Sequence, residues 1–224
     1  MTPVLVRSLG IVRFGSTEPI LLVDDRGERW ICKLQPPPMS DHAVEWIVAA
    51  LAREMGVAVA PSAVAELHPA LILAFAAGAP SERAYAERAA KLGTTVFASR
   101  WIQGAREFTG PRAGDSAALG RVLALDRLVA NPDRQANHPN LVRVGRDIVA
   151  IDHAQALPEA HGQDDADIEI PLHVSLGLGG PARVPSEAAI RGAVASLPAA
   201  WLSRPRREAV VEGCLLRAER LVAS

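Results

Sequence analysis

Lysine is nearly missing from this chain. Of its 24 basic residues only Lys33 and Lys91 are lysines, and the rest are arginines. Cysteine is as scarce: Cys32 and Cys214 stand alone, without paired spacing. That argues against a disulfide framework or a cysteine-based zinc site and makes a reducing cytoplasm the expected setting. No sign of charge dominates, with 24 basic against 25 acidic residues, so the electrostatic footprint of a nucleic-acid binder is lacking. Long apolar runs are lacking too. The most apolar one, "ALILAFAAGA", has ten residues, whereas a membrane span takes roughly twenty. The opening "MTPVLVRSLG" has neither a long apolar core nor a cleavage pattern, so no secretory signal is expected. Internal repeats, low-complexity tracts and the phosphate loop G-x-x-x-x-G-K-[ST] do not occur either.

What remains is a folding sequence. It is 49% apolar with four tryptophans, and 224 residues can bury a substantial core, in one domain or in two packed lobes. "PVLVRS", "PILLVDD" and "RWICKLQ" read as strands, the last two joined through Asp25-Arg26-Gly27. After "PPP", Ser40 is a suitable N-cap, Val44, Ile47, Val48, Leu51 and Met55 recur at helical spacing, and Gly56 stops the helix. Strand-like segments follow at 71–76 and 94–101. From Asp115 to Ala130 the pattern is helical, and residues 185–222 read as helices broken by Pro198 and Pro205. A strand-rich front with one helix and a mostly helical back predicts an α+β protein of two lobes meeting near residues 100–105.

The stretch "NPDRQANHPNLVRVGRDIVAIDHAQAL", from Asn131 to Leu157, concentrates the chemistry. Pro132 and Pro139 keep its first part out of a helix. "LVRV" and "DIVAI" then read as a hairpin around Gly145-Arg146. A three-residue turn pairs 144 with 148 and so 140 with 152, while a two-residue turn shifts this by one position. Either way Asn140 and Asp152 are neighbours at the foot of the hairpin, and Asp133 sits in the loop leading there. Oxygen ligands are thus gathered at one point. Asp126 lies on the apolar face of the preceding helix, so it needs a partner. It is expected to brace the loop by accepting from loop N–H groups or from Arg134.

Further forward, Lys33 lies in an apolar strand. Such a lysine often does no more than snorkel to water, but a compact ammonium in a chain that otherwise uses arginine is a different chemical choice. Glu45 falls at the margin of the apolar stripe of its helix, where it could be aimed at Lys33 or serve as an ordinary boundary glutamate. In "RFGSTEP", Gly15, Ser16 and Thr17 offer backbone N–H and hydroxyl donors to phosphate oxygens, or simply a turn.

Together these residues resemble the HipA-like kinases. "ALDRLVANPDRQANHPNL" followed by "VAIDHAQAL" is similar to the catalytic loop and metal-binding segment of that family in its short form, and more distantly to phosphatidylinositol kinases. "WICKLQ", "VEWIVAALAREMGVAVAP" and "FASRWIQGA" follow the family's order of ATP lysine, partner glutamate and hinge. The resemblance covers about residues 3–160. It implies a protein-kinase-like two-lobed α+β fold over 1–224, with an N-lobe of about 1–101 and a C-lobe of about 102–224. It also implies transfer of the γ-phosphate of ATP, with Mg²⁺, to a hydroxyl acceptor such as a protein serine or threonine. Asp133 would orient or deprotonate the acceptor. Asp152 would hold the ion, and Lys33, paired with Glu45, would hold the α/β-phosphates. Arg100, Trp101 and Ile102 would meet adenine through their backbone. Kinases commonly place a second metal-ligating asparagine five residues after the catalytic aspartate, and His138 stands there instead. Asn137 and Asn140 flank it, and oxygen-seeking Mg²⁺ favours Asn140. A nucleotide-binding pseudokinase is the alternative reading. A metal-dependent hydrolase built on His138, His153, His161, His173 and the acids at 164–167 lacks any paired ligand spacing, and "QDDADIE" reads more simply as a solvated loop.

Overall fold

A computed structural model of the protein describes residues 1–12, 19–33, 40–135, 139–163 and 183–223. Helix and strand are mixed, and the chain forms two compact units, residues 1–42 with 61–101 and residues 43–60 with 102–224.

The first unit is a closed five-stranded barrel. Its strands are β1 (Val4–Ile11), β2 (Ile20–Asp24), β3 (Arg29–Cys32), β4 (Ser62–Leu67) and β5 (Thr95–Arg100), in the spatial order β1-β2-β3-β5-β4. Neighbours pair antiparallel except β1 and β4, whose parallel pairing of Val4 with Glu66 and Leu5 with Leu67 closes the barrel. The β2–β3 turn is held by one carboxylate. Asp24 accepts from the N–H groups of Arg26 (3.0 Å) and Glu28 (2.8 Å) and from Trp30 Nε1 (3.0 Å). Leu5, Leu22, Trp30, Cys32, Leu67 and Val96 fill the interior. Cys32 is fully enclosed, and burial pushes its thiol pKa far up.

Residues 71–76, expected as a strand, form the middle of a helix, α2 (Pro69–Ala77). His68 caps it, Nδ1 accepting from Ala70 N at 3.2 Å, and Pro69 occupies the first turn. A short apolar run does not distinguish strand from helix by periodicity. Here alanine content favours the helix, and Leu71 and Phe75, four residues apart, are the two side chains it buries. Helix α3 (Pro80–Leu92) returns to β5, with Tyr85 set 5.9 Å from the Phe75 ring.

Helix α1 (Ser40–Glu54) begins in the first unit and from Ala43 belongs to the second. Val44, Ile47, Val48 and Leu51 are wholly buried, as their spacing predicts. The second unit adds α4 (Ser116–Val129) and a three-stranded sheet of β6 (Arg106–Glu107), β7 (Leu141–Val144) and β8 (Asp147–Ala150). Among the described residues it also holds helices α5 (Pro158–His161), α6 (Glu187–Ala195) and α7 (Arg204–Ala223), with a 3₁₀ turn at Ala199–Trp201. Pro205 does not break the last helix as expected. It sits in the first turn, where a missing N–H costs nothing.

Buried arginines fasten these elements. Arg143 on β7 donates to Asp115 at the start of α4 (2.6 and 3.2 Å). That guanidinium, with the Arg112 N–H (2.7 Å), holds the Asp115 carboxyl below the usual aspartate range. Arg217 on α7 donates to the Leu128 carbonyl (2.7 Å) and to Glu159 on α5 (2.6 Å), so the last helix grips the end of α4. Cys214 beside it is buried, and its thiol is pushed up to about 11. Among the described residues no helix is long and apolar enough to cross a membrane.

Candidate functional site

The loop after α4 is built on a buried ion pair. Asp126 and Arg134 are both fully enclosed, with Arg134 Nε 2.6 Å from Asp126 Oδ2. The same arginine reaches forward: Nη1 donates to the carbonyls of Pro139 and Asn140, both at 2.8 Å. Asp126 Oδ1 accepts from Asn131 Nδ2 (3.1 Å), and Asn131 Oδ1 accepts from the Asp133 N–H (3.2 Å). Asparagine at the start of a turn characteristically bonds its backbone two residues on. Helix α4 ends because Ala130 turns left-handed, at φ +46°, and Asn131 N donates back to Asp126 O. One buried acid therefore sets both ends of the loop. The sequence predicted its partner; it did not show that Arg134 also holds the loop's far end.

The hairpin takes the two-residue turn. Val144 pairs with Asp147 and Leu141 with Ala150, and Gly145 adopts φ +60° at the first turn position, as such hairpins require. Asn140 then faces Ile151, whose N–H donates to its carbonyl (3.0 Å), and half-buried Asp152 comes next. Both Asn140 (φ +46°) and Asp152 (φ +54°) are left-handed, a conformation that Asn and Asp accept better than most side chains. Asn140 Nδ2 donates to Asp133 Oδ2 at 2.9 Å. The side chains of Asn140 and Asp133 are thus joined directly, with Asp152 at the foot of the same hairpin.

This is a set of hard oxygens. Mg²⁺ prefers such donors, takes one or two carboxylates from the protein and fills its shell with water and phosphate. Among the described residues no group of three or more His, Cys, Asp or Glu side chains could hold a metal by itself. The residues present suit an ion that arrives with a phosphate ligand. The histidines are spread out: His161 Nε2 lies 3.1 Å from the Ala154 carbonyl, and His153 Nδ1 lies 3.6 Å from Glu45 Oε2. Asn137, His138 and His173 lie outside the described residues. The sequence offers Lys33 as a target for Glu45, and nothing in its spacing points to the contact with His153.

In the first unit, Lys33 follows β3 directly, one residue past the strand's end, and is half-buried. Gly15, Ser16 and Thr17 lie outside the described residues. At the end of β5 the N–H of Arg100 donates to Pro61 O (2.7 Å) and that of Trp101 to Arg29 O (2.9 Å). Those donors are engaged in the barrel, so any N–H offered to a base in this stretch begins at Ile102. The Arg100 side chain pairs with Glu28 and lies over the Trp30 ring at 5.7 Å.

Among curated proteins none matches the chain. Among solved structures it is similar to the crystal structure of a Helicobacter pylori proinflammatory kinase, CtkA. The TM-score is 0.64 at 10% identity, covering 100% of this chain and 96% of that one. At that identity the likeness speaks for the fold, a kinase fold of mixed helix and strand. Residues 6–175 match the HipA-like kinases as a family, a span that holds Lys33, Glu45, Asp133, Asn140 and Asp152. The chain belongs to the HipA-like kinase family.

Proposed function

We propose that this chain is an ATP- and Mg²⁺-dependent phosphotransferase that moves the γ-phosphate to a hydroxyl acceptor, the side chain of a protein serine or threonine. The observation that carries this reading is the bond from Asn140 to Asp133, with Asp152 beside them at the hairpin foot. Asp133 orients the acceptor hydroxyl and takes up its proton as transfer proceeds. Asn140 holds that carboxylate in place with Nδ2 and keeps its amide oxygen for the ion. Asp152 supplies the carboxylate ligand, and Lys33 binds the α/β-phosphates. The ion, when bound, supplies positive charge against the phosphate oxygens. Gly15, Ser16 and Thr17, through their backbone N–H and hydroxyl donors, and Asn137, which flanks the usual asparagine position, are assigned to the same phosphate and metal contacts. The chain's two lone cysteines suit a reducing cytoplasm.

One experiment tests the assignments together. ATP affinity, transfer of labelled phosphate in a cell extract and melting temperature are measured on wild type, Asp133→Asn, Asp152→Asn and Lys33→Ala. Asp152→Asn and Lys33→Ala should weaken ATP–Mg²⁺ binding, and with it the stabilisation that bound ligand confers. Asp133→Asn should keep binding and lose transfer. Full transfer in a folded Asp133→Asn protein would sink the catalytic assignment. Binding without transfer in wild type would make the chain a regulatory pseudokinase.

A further inference from the structure

His153 is a buried histidine without a structural explanation. Its Nδ1 lies 3.6 Å from Glu45 Oε2, and both side chains are buried. Its Nε2 has no hydrogen-bond partner among the described residues. An unsatisfied ring nitrogen in the interior costs free energy that an apolar side chain would not. Packing alone therefore gives no reason for histidine here. The residue follows Asp152 directly, and the turn that carries both is bonded to neighbouring backbone. Asp152 is left-handed at φ +54°, the Ala156 N–H donates to the His153 carbonyl (2.9 Å), and Leu157 N donates to Val129 O (2.7 Å).

Glu45, on the other side of the contact, sits on a segment tied to the same unit at three further points. Trp46 Nε1 donates to Ser196 Oγ (2.8 Å), Arg121 Nε to Gly56 O (3.0 Å) and Ala150 N to Ala58 O (2.8 Å). The last of these lies two residues before Asp152. Helix α1 and the Asp152 turn are thus parts of one scaffold, and Glu45–His153 is a polar contact between them at the residue next to Asp152.

On the phosphotransferase reading above, we infer that His153 is a positioning residue. Through Glu45 it fixes the turn that presents Asp152 to the ion. Glu45 then serves metal binding, in addition to the role toward Lys33 that family resemblance implies. Groups that orient a metal ligand characteristically change metal affinity when removed.

The test titrates Mg²⁺ at fixed ATP and reads the rise in melting temperature, which needs no turnover. His153→Leu should raise the Mg²⁺ concentration for half-maximal stabilisation by about tenfold. His153→Asn, whose amide can stand in for Nδ1, should stay close to wild type. Glu45→Ala should match His153→Leu, and the double variant should be no worse than Glu45→Ala. If His153→Leu does not fold, His153→Ala, which leaves Glu45 and its role toward Lys33 in place, carries the same test against His153→Asn. A wild-type Mg²⁺ requirement in a cooperatively melting His153→Leu or Glu45→Ala protein overturns the inference, as does full additivity in the double variant. Absence of any ATP–Mg²⁺ stabilisation in wild type is a different result: it overturns the phosphotransferase reading, and the inference with it.

Discussion

Removing Asp126 should unfold the protein more readily than removing almost any other acid. Its carboxylate is fully buried against Arg134, which is also fully buried, at 2.6 Å. Asp126→Ala leaves that guanidinium charged and enclosed, a loss of about 3–5 kcal/mol for a buried pair. Asn131 Nδ2 would also lose its acceptor, adding about 1 kcal/mol. For a chain of this size roughly 2–4 °C of melting temperature goes with each kcal/mol, so a fall of the order of 10–20 °C is expected. Calorimetry or urea unfolding measures it. The companion variant separates stability from positioning. Asp126→Leu with Arg134→Met removes both charges, so much of the stability should return. Transfer activity should not, because the Pro139 and Asn140 carbonyls have lost their shared donor. A cost below about 1 kcal/mol for Asp126→Ala, the range of an exposed pair, would refute the buried brace. Full activity in the double variant would refute its part in holding the loop.

Two further expectations follow from the same unit. Asn140→Ala should raise the Mg²⁺ needed for ATP binding by about tenfold. Asn140→Gly should do the same while melting higher than the alanine variant, because the left-handed backbone at φ +46° penalises a non-glycine residue by about 1–2 kcal/mol; equal melting of the two would contradict the backbone argument. Asp115, whose pKa is lowered by Arg143 and the Arg112 N–H, stabilises the fold above the ordinary value of 3.8. That contribution should be lost as pH falls below 3.8 through the depressed folded value. Acid unfolding of Asp115→Asn should lack this part of the slope, and an unchanged acid profile would count against the pair.

Much of the site is legible in residue order alone. Asp133, Asn140 and Asp152 flank two strands short enough, and a turn small enough, that hairpin geometry brings the foot residues together whichever register is taken. Asp126 announces itself as well, since an acid on the apolar face of a helix must find a partner. The α1 stripe of Val44, Ile47, Val48 and Leu51 is read as easily, because helical period and burial coincide. These are local arguments: period, turn length and the cost of an unpaired charge operate within a few residues of chain.

Other features needed the folded molecule. Residues 71–76 carry an apolar run that suits strand or helix, and the cap at His68 with burial of Leu71 and Phe75 settles it as α2. The turn of two residues was one of two registers open to Gly145-Arg146, and pairing of Val144 with Asp147 selects it. Arg134 could be expected to meet Asp126, but its grip on the Pro139 and Asn140 carbonyls depends on where the loop's far end returns. Glu45 and His153 lie more than a hundred residues apart, and no period or spacing relates them. Local patterns determine which side chains face inward. Which of those side chains then meet is decided by packing, because contacts between distant segments exist only once the whole core has closed around them.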